Sequence, residues 1–326
     1  MTGWTWPRRH LHPRTFKAPR RDSRRVADAV IRTEGLTKWY GRHRGIESVD
    51  LEVRRGEVFG FLGPNGAGKT TTLRILLDLI RPTSGRAEVL GLDAQRDSLA
   101  VRARTGYLPG ELALDDRLTG ERFLRFAAKV RGGVDWARVE SLAARLRCDL
   151  AKPFGDLSRG NKQKVGLIQA FMHQPDLLVL DEPTGGLDPL VQQTFNALVQ
   201  EARAAGSTVF LSSHYLAEVE QVCDRVAIIR EGRIAAVERV ADLKARALRR
   251  IDVRFATPVP ADALAGAPGV QAVTAEGPRV TCTVAGSLDG LVKALAAHEV
   301  VDLVTHEPRL EDVFMTYYGE DARRGG

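Results

Sequence analysis

Two groups of residues in this chain have the types and spacing for phosphate chemistry. The first is Gly63-Pro64-Asn65-Gly66-Ala67-Gly68-Lys69-Thr70, the pattern G-x-x-x-x-G-K-T. Glycines at these positions let successive backbone N–H groups curl round an anion, and the start of a helix adds partial positive charge. Lys69 is placed to reach the β- and γ-phosphates of a nucleoside triphosphate, and the Thr70 hydroxyl to ligate Mg²⁺. Residues Gly63 to Thr71 are therefore assigned to a phosphate cradle. The second group is Asp181-Glu182, two acids that end the apolar run Leu177-Leu178-Val179-Leu180. Adjacent carboxylates at the end of a buried strand cost stability unless a cation or donor meets them. Asp181 is expected to hold Mg²⁺ indirectly, and Glu182 to orient or deprotonate an attacking water.

These groups need elements to position them. The run Val58-Phe59-Gly60-Phe61-Leu62 reads as a strand, and Thr71 to Leu77 as an amphipathic helix, the strand–loop–helix setting that a P-loop requires. Leu177–Asp181 reads as a buried parallel strand. A further strand, Ser207 to Leu211, ends in Ser212-Ser213-His214. In an open parallel sheet the carboxyl ends of strands share one crevice. His214 is thus expected to face the acids and to hydrogen-bond a γ-phosphate. Val30–Thr33 and Ile46–Val53 are expected to form a small antiparallel sheet, with the Trp39-Tyr40 pair between them. Tyr40 either stacks on an adenine or packs in a turn, and spacing leaves both readings open. A strand resumes at Ala87–Leu90, and residues 93–104 read as helical.

Residues 110–160 form an inserted helical block, with helices expected over 119–131 and 135–148. Phe123, Phe126 and Val130 share one face of the first, and Val139, Leu142 and Leu146 one face of the second. Leu157-Ser158-Arg159-Gly160-Asn161-Lys162 then opens another helix, with Ser158 as N-cap. Past residue 240 the character changes. The order β (Ile251–Phe255), α (Ala261–Ala265), β (Val270–Ala275), β (Val280–Val284), α (Leu288–His298), β (Val300–His306), α (Leu310–Tyr318) predicts a small two-layer α+β domain. The expected division is a tail over 1–27, an ATPase domain over 28–240 and an accessory domain over 241–326. The fold class is α/β, a P-loop NTPase core with a mostly parallel sheet and helices on both faces.

Composition narrows the function. Of 48 basic and 41 acidic residues, eight basic and one acidic lie within residues 1–27, which leaves 40 of each in the remainder. The net charge of +7 is thus confined to the tail, and the neutral body implies no nucleic-acid-tracking face. The Arg-rich tail reads either as a lipid-surface segment or as an artefact of start-site assignment, with Val26 as an alternative initiator. Uninterrupted apolar runs long enough to span a membrane do not occur. Cys148, Cys223 and Cys282 lie far apart, without metal-ligand spacing, and read as reduced, buried thiols of a cytosolic protein.

Together, Gly63–Thr70, Leu157–Lys162, Leu177–Glu182, Gly186-Leu187-Asp188 and His214 resemble, in order and spacing, the nucleotide-binding subunits of ABC transporters. The Asn161-Lys162-Gln163-Lys164 run and the C-terminal Leu310-Glu311-Asp312-Val313-Phe314 with Tyr317-Tyr318-Gly319 look like the daunorubicin-resistance-type subgroup, which pairs with separate ABC-2-type permeases. The resemblance implies a homodimer at the cytoplasmic face of the membrane. Two ATP molecules would each lie between one P-loop and the partner's Ser158 and Gly160, with Asp188 at the interface and Glu182 as catalytic base. It implies a drug, antibiotic or lipid-like substrate for the permease, and no nucleic-acid partner.

Two departures stand out. Arg159 and Asn161 replace a glycine and a glutamine of the usual signature, and Gly110 stands where the family commonly has a glutamine that touches Mg²⁺, with Glu111 next to it. The competing readings are a soluble ABC-type ATPase acting on ribosomes or DNA, and a binding module that has lost catalysis. A single P-loop without heptad repeats weighs against the first, and intact Lys69, Asp181, Glu182 and His214 against the second.

Overall fold

The computed structural model describes residues 28–246 and 248–306. Fourteen strands among them form three sheets. The tail over 1–27 and the expected helix at Leu310–Tyr318, with the Leu310–Phe314 motif, lie outside the described residues.

The first sheet is antiparallel, with order β2-β1-β4-β5, from β1 (Ala29–Tyr40), β2 (His43–Arg54), β4 (Ser84–Val89) and β5 (Leu92–Asp93). Trp39 and Tyr40 belong to the end of β1 rather than to a turn, because the strand continues until Tyr40 pairs with His43. The expected helix over 93–104 is only Ser98–Ala103. Asp93 pairs with Glu88, and its Oδ1 accepts the N–H groups of Gln95 and Arg96, both at 2.9 Å. That side-chain turn competes with helix nucleation.

The second sheet has the order β10-β9-β3-β8-β7-β6. Its members are β3 (Val58–Leu62), β6 (Thr105–Leu108), β7 (Leu177–Asp181), β8 (Thr208–Ser213), β9 (Arg225–Arg230) and β10 (Arg233–Arg239). All neighbours are parallel except β10, which returns antiparallel along β9. Period-two alternation divides the side chains between two cores. Phe59, Phe61, Leu177, Val179, Phe210, Ala227 and Ile229 point to the core shared with the antiparallel sheet. Val58, Leu62, Leu178, Leu180, Val209, Leu211 and Val226 point to the core shared with the helical block.

Helices α1 (Lys69–Leu76) and α2 (Ser98–Ala103) precede that block, which contains α3 (Gly120–Val130) and α4 (Trp136–Arg145). Val139, Leu142 and Leu146 are buried as their spacing predicts. The expected face of α3 is only partly right, with Phe123 packed against the helical-side core. Phe126 and Val130 are 66% and 70% exposed, and the buried stripe is Gly120, Leu124 and Ala128. Small residues win there because α3 approaches α5 (Arg159–Phe171) closely: a Cβ on Gly120 would lie 3.3 Å from Val165 Cγ2. Cys223 and Cys282 are buried as expected, and Cys148 is half-buried.

Beyond α6 (Pro189–Ala204) and α7 (Leu216–Val222), α8 (Val240–Arg246) sends Val240 and Leu243 into the helical-side core. The ATPase core thus reaches beyond residue 240. The third sheet, order β12-β13-β11-β14, is antiparallel, and its own core includes Ile251, Val253, Leu264, Leu291 and Leu295. Its strands Arg249–Phe255, Val270–Glu276, Arg279–Val284 and Val300–His306 (β11 to β14), with α9 (Asp262–Ala265) and α10 (Asp289–Leu295), follow the expected order. Among the described residues, no helix is long and apolar enough to cross a membrane.

His173, just past α5, has its pKa lowered from 6.5 to about 4, by burial first and by the nearby Arg131 second. The unfolded chain takes up this proton near pH 6.5, whereas the folded chain resists until about pH 4. The stability that depends on neutral His173 is complete above the higher value and is lost as pH falls through this window. Thermal melts between pH 7 and pH 4 should therefore show a shallower acid loss for His173→Gln than for the wild type.

Candidate nucleotide-binding site

Strand register assembles the site. In the parallel ladders Leu62 pairs with Ser213 and Asp181 with Ser212, so three strands release their loops at one level. The loop after β3 carries Gly63–Gly68, that after β7 starts at Glu182, and that after β8 carries His214. The Gly63 N–H donates to Ser213 O at 3.2 Å and the Glu182 N–H to Ser212 O at 3.2 Å, which cross-links the loops.

Backbone conformation shapes the cradle. Gly66 and Gly68 have φ of +80° and +107°, which side chains rarely adopt. A Cβ on Gly68 would also meet Ile46 Cγ2 at 2.5 Å and Gly45 O at 2.7 Å. The resulting cavity of about 190 Å³ is lined by Pro64, Asn65, Gly66, Lys69 and Thr70 with Gly45, Gly68, Thr71 and Glu182. Ala67, buried beneath it, helps seat the loop on the antiparallel-sheet core. Tyr40 stands at its margin: a Cβ on Gly45 would lie 2.9 Å from Tyr40 Cε2 and 3.3 Å from Thr71 Cγ2. Tyr40 is 46% exposed, with Lys38 Nζ 5.2 Å from its ring centroid, a position open to a stacking partner.

The polar groups converge on the two acids. Asp181 is 1% exposed. Its Oδ2 accepts the Thr70 hydroxyl at 2.7 Å and its Oδ1 the Ser212 hydroxyl at 2.5 Å. Lys69, 5% exposed, donates to Gly63 O at 2.6 Å and Pro64 O at 3.2 Å. Its ammonium also lies 3.0 Å from Glu182 Oε1, an oxygen that is buried and has no aligned hydrogen bond among the described residues. Glu182 Oε2 meets His214 Nδ1 at 2.7 Å. The His214 ring packs on Tyr215, with centroids 3.8 Å apart. The Lys69 ammonium, the Glu182 carboxylate and the Thr70 hydroxyl thus border one phosphate-sized space, with Asp181 directly behind Thr70. That donor set fits a polyphosphate with a divalent cation, because Thr70 and Asp181 offer hard oxygen ligands beside the cradle.

Other expected residues lie apart from this cavity. Ser158 caps α5, accepting the Asn161 N–H at 3.3 Å, and Asp188 caps α6, accepting the Val191 N–H at 3.0 Å. A Cβ on Gly160 would collide with Gly186 O, so the first turn of α5 packs directly on the loop before Asp188. Gly110 abuts Asp181: a Cβ there would lie 3.2 Å from Oδ2. Glu111 lines a separate cavity of about 540 Å³ together with Gly110, Arg159, Lys162 and Gln163, so Gly110 and Arg159, two of the departures from the usual motifs, border the same space.

A family model described as ABC transporter matches residues 46–185. The chain is 36% identical over 311 residues to the daunorubicin resistance ATP-binding protein DrrA3 of Streptomyces coeruleorubidus, covering 91% of this chain and 98% of that protein. The chain belongs to the ABC transporter ATP-binding family. It is also 36% identical to the bacitracin transport ATP-binding protein BcrA of Enterococcus faecalis, over 68% of this chain and 73% of that one. A solved ATP-binding subunit of an ABC transporter superposes with a TM-score of 0.61 at 32% identity, over 66% of this chain and 92% of the other. This ABC-type ATPase also shares its fold with a dimeric bacterial ABC transporter cassette, at 21% identity and a TM-score of 0.60. The likeness to DrrA3 is long enough to include the C-terminal unit, which the family model does not reach.

The P-loop, the two acids and His214 meet in this ABC ATPase as their positions in the sequence predict. Ser212, which holds both the Asp181 side chain and the Glu182 backbone, has no motif signal and is apparent only from strand register. Gly45 likewise follows from the cradle's walls rather than from any pattern. Gly68→Ala forces a side chain into a left-handed backbone against Gly45, at about 1–3 kcal/mol for the backbone alone. The expected outcome is a lower thermal midpoint and loss of fluorescent-ATP binding in titration.

Proposed function

We propose that this chain is the ATP-binding and hydrolysing subunit that energises an ABC-type exporter of drug, antibiotic or lipid-like substrates. It works as a homodimer with an ABC-2-type permease on a separate chain, at the cytoplasmic face of the membrane. The names of DrrA3 and BcrA support the substrate class. The observation that carries the reading is the incomplete cavity. The phosphate cradle is lined by one subunit's Gly66, Lys69, Thr70 and Glu182, but by none of Ser158, Gly160 or Asp188. A γ-phosphate there needs donors on its open side, and the N-terminus of a partner's α5, with the Ser158 hydroxyl, has the right polarity.

In this reading Gly63 to Thr71 hold the phosphates and Tyr40 stacks on the adenine. Thr70 would hold Mg²⁺ directly and Asp181 indirectly, and the ion would neutralise charge on the phosphates. Lys69 has two roles. Its ammonium lies 3.0 Å from Glu182 Oε1 and lines the cradle, so a γ-phosphate competes with that carboxylate for its charge. That frees the carboxylate to orient water and accept its proton as oxygen attacks phosphorus and the bond to ADP breaks. His214 keeps Glu182 aimed through the contact at Oε2 and reaches the γ-phosphate with its other nitrogen.

Glu182→Gln keeps the shape but removes the base. Phosphate release should fall at least about a hundredfold, while ATP binding and ATP-dependent dimerisation persist; undiminished hydrolysis would overturn the assignment. Co-purification of the tagged chain from membranes should bring down a polytopic partner, and recovery of ribosomes or DNA instead would refute the transport role. Gly110 offers no side chain next to Asp181, so coupling to the permease is assigned to Glu111. Glu111→Ala should reduce transport more than ATP binding, measured side by side in proteoliposomes.

A further inference from the structure

Gln163 is 5% exposed, a buried polar side chain beside the loop that follows β7. Its Nε2 donates to Glu182 O at 3.0 Å and to Pro183 O at 3.2 Å. Both partners are carbonyl oxygens, so only the NH₂ end of the amide satisfies them. The residue it grips is unusual. Glu182 has φ of +49°, a left-handed backbone that a residue with a side chain adopts only when its surroundings impose it. The Ser212 strand end fixes the Glu182 N–H, and Gln163 fixes the carbonyl side.

Gln163 belongs to α5, whose first turn carries Ser158, Arg159 and Gly160. That turn already packs on the same loop further along, with the Gly160 N–H 3.5 Å and Arg159 Cγ 3.7 Å from where a Cβ on Gly186 would stand. A single rigid helix therefore presents its capped end to the exterior and holds the backbone of the acid that faces its own subunit's phosphate cradle.

We propose that Gln163 is a positioning residue that couples the signature end of α5 to Glu182 within one subunit. This rests on the dimeric reading above: docking of α5 on the partner's nucleotide shifts the Gln163 amide, and through it the carboxylate that acts on the subunit's own nucleotide. Gln163 is not among the residues that line the phosphate cradle.

The test uses steady-state ATPase kinetics of the full chain as wild type, Gln163→Met and Gln163→Glu. The Met variant keeps length and loses the donor. Its kcat should fall about tenfold, with KM for ATP unchanged. A kcat within about twofold of wild type would overturn the proposal. In Gln163→Glu a carboxylate faces two carbonyl oxygens, and only its protonated form can donate. The ratio of its kcat to that of wild type should therefore rise as pH falls, and a flat ratio would overturn the proposal even if the Met variant fails to fold. Wild-type protein without ATPase activity would instead refute the proposed function itself, so the two failures are distinguishable.

Discussion

Two adjacent carboxylates at the end of a buried strand are the constraint to which the surrounding structure answers. Isolated charges in a protein interior are costly, and they persist only where donors and cations meet them. Asp181 is met by hydroxyls from two different elements, Thr70 on α1 and Ser212 on β8. Glu182 is met by Lys69 and His214, again from two elements. These four partners come from two distant places in the sequence, 69–70 and 212–214, and the parallel sheet brings them to one level. The site is thus held together by the same polar groups that the proposed mechanism uses.

The sheet makes this possible by being buried on both faces. Each of its central strands sends alternate side chains into separate cores, so neither face can slip in register without exposing apolar surface. Loops at its carboxyl ends are therefore fixed in height to within a residue. The helical block and the antiparallel sheet, one on each side, add apolar mass and leave the crevice clear.

Much of this was legible in the sequence because the chemistry leaves marks on local pattern. Continuous apolar runs mark β3 and β7, and glycine spacing marks the cradle. The failures have a common origin in tertiary contact. Apolar spacing in α3 suggested Phe126 and Val130 as a buried face, but close approach to α5 favours Gly120 and Ala128. Local side-chain bonding at Asp93 shortened a helix that charge and composition seemed to extend. The alternating strand β10 was not assigned, since its half-exposed pattern follows a turn and carries no long apolar run. Ser212 and Gln163 are ordinary residue types whose roles come only from the carbonyls and carboxylates opposite them.

The left-handed backbone at Glu182 sets folding against function at one position. On conformational grounds glycine is the preferred residue there, since it alone has no Cβ to crowd the neighbouring carbonyl. A chain selected only for stability would drift towards glycine, and the site would fall silent with its fold improved. An acid in that conformation is the residue that the proposed hydrolysis needs and that the backbone disfavours. The fold around it must be stable enough to carry one residue chosen against its own backbone.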